Sequence, residues 1–164
     1  MTLIAIGVDQ STTKTGLCMR RFIANGHSKV IRAATVDTPG YLDMRDAILT
    51  FMGLLTPTVI MCEGAFYGKS ATAHAAAVKS AAWVEAVVCQ YKLGEMFDVV
   101  PAVSWRKVAW PGVKRMKSEE AKAYSIAQAI KAGIVDPDDH QGDADGICQY
   151  AIKMYTEAQN ETDE

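Results

Sequence analysis

A chain of 164 residues, 49% hydrophobic and 22% charged, holds enough apolar material for one core; this excludes a disordered chain, and a second domain would leave each half short of a core. The formal net charge of −2 is unevenly spread: residues 1–62 carry six Lys/Arg against four Asp/Glu, residues 63–117 eight against four, and residues 118–164 three against eleven. A basic middle permits a phosphate-bearing partner without demanding one.

The N-terminal MTLIAIGVDQ has no basic region before its apolar run and reaches Asp9 too early for a signal peptide. The most apolar long stretch, residues 71–88, contains His74, Lys79 and Glu85, so no membrane partner is expected and a cytoplasmic setting is. Residues 3–9, 16–23 and 28–36 read as three strands, the last two joined at Asn25-Gly26, a strong hairpin signal. Cys18, Cys62, Cys89 and Cys148 stand singly in apolar segments with no CxxC pair, and read as reduced core thiols.

After Pro39-Gly40, Leu42, Ala47, Ile48, Phe51, Met52 and Leu55 recur at helical spacing until Thr56-Pro57 stops the helix. Thr58 to Cys62 is a short buried-type strand ending on Glu63. The alanine-rich residues 70–91 predict a helix with Gly94 near its C-cap. Phe97 to Val100 predicts a fifth strand, Ser104 caps a short helix to Ala109, and Ser118 with Glu119 and Glu120 opens another to about Ala132. The last helix is predicted over residues 142–155, after the polar loop DPDDHQG. The domain is expected over residues 1–158, with 159–164 as an acidic flexible tail.

Two buried-type strands, LIAIGVD and TVIMCEG, each end on a carboxylate. If they are neighbours, Asp9 and Glu63 converge, and two carboxylates in an apolar setting repel unless a cation neutralises them. With no histidine or cysteine at matching positions, oxygen-only ligation favours Mg²⁺ or Mn²⁺ over zinc. Asp143 and Asp145, in HQGDADGICQYA, supply further acids at a helix start. Residues two apart on a helix lie about 200° apart, so both reach one cluster only if Asp143 sits in or before the first turn. Asp145 therefore ranks above Asp143, and His140, in an aspartate-rich loop, reads as a surface residue outside the set.

The order of these acids resembles the RuvC-like Holliday junction resolvases of the RNase H-like fold, in which an Asp ends the first strand, a Glu ends the fourth and one or two acids open the last helix. The resemblance implies an α/β domain: an RNase H-like mixed five-stranded sheet, a three-stranded antiparallel meander plus two parallel strands, flanked by helices. It implies a metal-dependent endonuclease in which Asp9, Glu63, Asp143 and Asp145 hold two Mg²⁺ or Mn²⁺ ions about 4 Å apart. It also implies a homodimer that binds branched DNA, a four-way junction; so small a resolvase, bacterial or phage-encoded, would suit a phage or mobile element as well as a bacterium. CEGAFYGKSATA is similar to the stretch in which Phe66, with Tyr67 and Lys69 beside it, would stack at the junction centre. VSWRKVAWPGVKRMKSEEAK is similar to the family's basic loop and helix, which implies DNA contacts from Arg106, Lys107, Lys114, Arg115 and Lys117. Many members carry an acid or histidine three residues before the last Asp; counted from Asp145, that position is Gly142.

Two other readings use the same fold. GVDQSTTKTG is also similar to the phosphate-binding hairpin of FGGY carbohydrate kinases, which need a second domain that 164 residues do not supply. An RNA-processing nuclease is the other, with the Phe66-Tyr67 pair favouring a branched-DNA wedge.

Overall fold

The computed structural model describes residues 3–24, 27–65, 70–114 and 116–162. Strand β1 (Ile4–Gln10) is the centre of a five-stranded sheet, flanked by β2 (Lys14–Ala24) and β3 (His27–Asp37) on one side. On its other side lie β4 (Val59–Glu63) and β5 (Met96–Val100), giving the order β3-β2-β1-β4-β5. Pairing is antiparallel from β1 to β2 to β3 and parallel from β1 to β4 to β5. The mixed sheet expected from the sequence is thus present, and the two acid-ended strands are neighbours. The Asn25-Gly26 turn lies outside the described residues, between the paired Ala24 and His27.

Side-chain alternation along the strands divides the interior into two cores. Ile4, Ile6 and Val8 of β1 join Ile60 and Cys62 of β4 against α1 (Tyr41–Met52) and α2 (Ala71–Tyr91). Leu3 and Ala5, with Val59 and Met61, face the opposite way, onto α3 (Ala102–Ala109), α4 (Ser118–Lys131) and α5 (Asp139–Thr162). Each wholly buried Ile, Val or Met contributes about 1.5–3 kcal/mol of hydrophobic stabilisation. Leu42, expected on the apolar face of α1, is exposed; Met44 takes the buried position instead.

Helix α5 lies directly on β1 and β2 because both strands present glycine beneath it. A Cβ on Gly7 would stand 2.0 Å from the carbonyl oxygen of Ala144, and one on Gly16 2.1 Å from that of His140. Any side chain there would lift the first turns of α5 off the sheet.

Several boundaries differ from the sequence reading, each for a local reason. Helix α5 begins at Asp139, not near Gly142, because Asp138 caps it: its Oδ1 accepts from the Gln141 N–H at 2.9 Å and from Thr35 Oγ1 at 2.8 Å. At its other end α5 continues into the acidic segment as far as Thr162. Helix α3 starts at Ala102, not around Ser104, with the fixed φ of Pro101 at its N-cap. Helix α2 ends at Tyr91 and is capped by Lys92 in the left-handed region, two residues before Gly94. Among the described residues no helix is long and apolar enough to cross a membrane.

Candidate metal centre

The alternation that divides the core also aims the acids. Asp9 shares parity with Ala5 and Gly7, and Glu63 with Val59 and Met61, so both carboxylates emerge on the α5 side of the sheet. The parallel register that pairs Val8 with Cys62 brings the two strand ends side by side. Asp143 comes down on them from α5, and Asp9, Glu63 and Asp143 each offer a carboxylate oxygen within 4.8 Å of the others.

Neighbouring groups fix each acid. His140 Nδ1 lies 2.6 Å from Asp9 Oδ2. The Trp105 indole N–H donates to Glu63 Oε2 at 2.9 Å, and the Gln10 side-chain amide donates to the Glu63 carbonyl oxygen. Ser125 Oγ donates to Asp143 Oδ1 at 2.6 Å, and the Arg106 guanidinium to Asp143 Oδ2 at 3.1 Å.

These partners do not cancel the concentrated negative charge. Burial first, and then the charges of Asp9 and Asp143, together push the Glu63 carboxyl up to about 7, against the opposing pull of Trp105 and Arg106. Burial raises Asp143 to about 6, again with Asp9 adding to the rise, against Ser125 and Arg106. The bond to Asp9 raises the His140 imidazole against its own burial. Two carboxyls held near neutral pH by burial and by neighbouring negative charge are a set whose ionised form a cation would stabilise. An oxygen-only triad of this kind fits a hard divalent ion such as Mg²⁺ or Mn²⁺.

Asp145 does not join the triad, which corrects its ranking above Asp143. Because α5 starts at Asp139, Asp143 already lies in its second turn, and Asp145 points about 200° away. It is 1% exposed and forms a bidentate pair with Arg20 of β2, Nε to Oδ1 at 2.6 Å and an Nη to Oδ2 at 2.9 Å. Gln149 donates to its Oδ2 at 2.9 Å and the Cys18 thiol to its Oδ1 at 3.2 Å, so its acceptors are taken. Asp145 pins α5 to β2.

The remaining residues expected to contact DNA divide into three sets. Lys107, Lys114 and Lys117 are exposed on and after α3. Arg106 is engaged by Asp143 and lies over the Trp105 and Trp110 rings. Phe66, Tyr67, Lys69 and Arg115 lie outside the described residues.

No protein-family model matches the chain, and neither does any curated protein. Solved structures do. Thermus thermophilus RuvC in complex with a Holliday junction substrate matches at TM-score 0.73 and 13% identity, over 95% of this chain and 96% of that one. The chain has the RuvC-like form of the RNase H-like fold. The yeast mitochondrial Holliday junction resolvase matches at TM-score 0.58 and 10% identity, over 95% of this chain and 82% of that one. The fowlpox virus resolvase matches at 0.56 and 13%, over 95% and 99%.

On α5, His140 and Asp143, three residues apart, both meet the cluster, His140 through Asp9 and Asp143 as one of its three carboxylates. Sequence reasoning missed His140, Trp105, Ser125 and Arg20 as partners of the acids. For His140 a signal was present: Asp138 followed three residues later by Gln141 is a capping-box spacing that starts the helix early enough to put His140 and Asp143 on one face. For Trp105 and Ser125 no local pattern points at the site.

Proposed function

We propose that this chain is a metal-dependent, structure-selective DNA endonuclease that resolves four-way junctions, a crossover junction endodeoxyribonuclease acting as a homodimer. The observation that carries this reading is the convergence of Asp9, Glu63 and Asp143 at one end of a RuvC-like sheet. These three carboxylates would hold the divalent ions, two per site. When bound, such ions activate water and stabilise the leaving oxygen of an in-line phosphodiester displacement. His140 fixes one oxygen of Asp9, while Trp105 and Ser125 fix Glu63 and Asp143, so the ligands are oriented before any substrate arrives. Asp145 serves as a structural anchor in this scheme.

Lys107, Lys114 and Lys117, exposed on and after α3, would meet phosphates, where lysines position a duplex without reading its sequence. Phe66 and Tyr67, in the segment after Glu63, would stack on unpaired bases at the crossover. Two copies would present two sites to symmetry-related strands, with α2 as the proposed interface.

One assay tests the reading. Synthetic four-way junction, flap, duplex and RNA–DNA hybrid substrates are incubated with and without Mg²⁺ or Mn²⁺. Paired, metal-dependent incisions in the junction alone are expected; cleavage of the hybrid in preference to the junction would replace DNA by RNA as the substrate, and metal-independent cutting would remove the triad from the reaction.

A further inference from the structure

We propose that the consecutive residues Trp105 and Arg106 form a positioning clamp that fixes Glu63 and Asp143 relative to each other, and so sets the affinity of the site for divalent cations. The clamp rests on the metal reading above and assigns a role to a helix that carries none of the acids.

Trp105 is wholly buried, at 0% exposure, yet its single polar atom is aimed at Glu63 Oε2, 2.9 Å away. A phenylalanine would fill the same core position; the indole adds a hydrogen-bond donor that holds the rotation of a carboxylate. The ring itself is seated tightly. A Cβ on Gly146, one turn beyond Asp143 on α5, would stand 2.5 Å from Trp105 Cζ3, so the indole rests against the α5 backbone. Trp110 closes its other side edge-on, with ring centroids 5.0 Å apart, and Trp110 in turn meets Tyr124, the neighbour of Ser125, at 5.2 Å.

Arg106 extends this framework to the second acid. Its guanidinium lies 4.9 Å from the centroid of Trp105 and 5.1 Å from that of Trp110, and from there donates to Asp143 Oδ2 at 3.1 Å. Contact with two indoles restricts the planar fork in a way that a flexible ammonium would not match. Ser125 holds the other oxygen of Asp143. Glu63 from β4 and Asp143 from α5 are thereby tied to the same turn of α3, and their separation is set by two adjacent residues.

The test uses Trp105→Phe, which keeps an aromatic ring and removes the donor, and Arg106→Lys, which keeps the charge and removes the fork. Mn²⁺ binding is read from the free-ion electron paramagnetic resonance signal of the full-length protein, with thermal unfolding of the metal-free state alongside. The expected result is a dissociation constant for Mn²⁺ raised about tenfold or more in each variant, with cooperative unfolding retained. Junction cutting by the variants should then need more Mg²⁺ than the wild type and be restored further by Mn²⁺ than by Mg²⁺, whose octahedral demands are stricter. Wild-type Mn²⁺ affinity in a folded Trp105→Phe protein, or in Arg106→Lys if the first variant fails to fold, overturns the clamp. Arg106→Gln adds a decisive sign: tighter Mn²⁺ binding than wild type would make Arg106 a mere counter-charge and also overturn it. If the wild type binds no Mn²⁺, or binds it equally after Asp9→Asn, the metal reading itself fails, a result distinct from failure of the clamp.

Discussion

Two aspartates separated by a single residue should respond in opposite ways to the same substitution. Asp145→Asn leaves the Arg20 guanidinium, itself buried, without its bidentate counter-charge. Removing one partner of a buried pair costs about 3–5 kcal/mol. Arg20 keeps Ser28, whose Oγ accepts at 2.9 Å and whose carbonyl oxygen accepts at 3.3 Å, so the lower end applies. For a chain of this size, each kcal/mol shifts the melting temperature by roughly 2–4 °C, giving a drop on the order of 6–12 °C. Asp143→Asn removes a charge that burial and Asp9 oppose, while giving up its charge-assisted bond to Arg106. The metal-free protein should therefore be equally stable or more so at pH 8, where the native carboxylate is ionised.

Metal binding should reverse the ranking. Asp145→Asn should retain Mn²⁺ affinity in its folded fraction, and Asp143→Asn should lose it along with junction cleavage. Urea unfolding at pH 8 without metal, paired with Mn²⁺ titration, reads both quantities on the same preparations. An Asp145→Asn protein that unfolds no more readily than wild type but loses Mn²⁺ would refute the assignment of the two acids and place Asp145 in the cluster.

The raised carboxyls predict an unusual pH dependence. Glu63, near 7, and Asp143, near 6, bind more protons folded than unfolded between about pH 4 and 7, so metal-free stability should fall as pH rises through that window. His140, raised by Asp9, loses its favourable charged form in the same direction, and millimolar Mg²⁺ should flatten the profile; urea midpoints at pH 5 to 8, with and without Mg²⁺, check both. Gly7→Ala should destabilise strongly, since its Cβ would meet the Ala144 carbonyl, and any folded fraction should bind Mn²⁺ poorly because α5 must shift away from Asp9. Asp9→Asn should abolish cutting yet leave junction binding in a gel-shift assay intact, because it removes a metal ligand and no phosphate contact. In that background Lys107→Ala and Lys117→Ala should weaken binding to every duplex-containing substrate and each reduce the salt-dependence slope by about one.

What the sequence made legible follows from where the physical signals are local. Each acid-ended strand is a short apolar run, and side-chain alternation within it determines which face its last residue occupies. Asp9 and Glu63 could therefore be paired once β1 and β4 were taken as neighbours. Helix existence was equally legible, since the spacing around Ala47, Ile48 and Phe51 and the alanine content of residues 71–91 are properties of single segments. Partnerships between distant segments left no such trace. Trp105 meets Glu63 across 42 positions and Arg20 meets Asp145 across 125, and neither bond imprints a pattern near either residue.

The third acid shows how a small boundary error becomes a chemical one. A helix advances 100° per residue, so moving its start from Gly142 to Asp139 changes which side chains occupy the first turn and which carboxylate can share a face with His140. With the later start, Asp143 and Asp145 compete for one role. With the start that Asp138 fixes by capping Gln141, the face carrying His140 and Asp143 turns to the sheet end, and Asp145 falls toward Arg20. The glycines make this rotation strict. Gly7 and Gly16 admit the backbone of α5 at a separation where no Cβ fits, and Gly146 seats its other side against Trp105, so the helix has little freedom to turn one acid in and the other out. The cap that starts α5 at Asp139 and the glycines that fix its rotation thus act together to place Asp143 with Asp9 and Glu63 and to leave Asp145 holding the helix to the sheet.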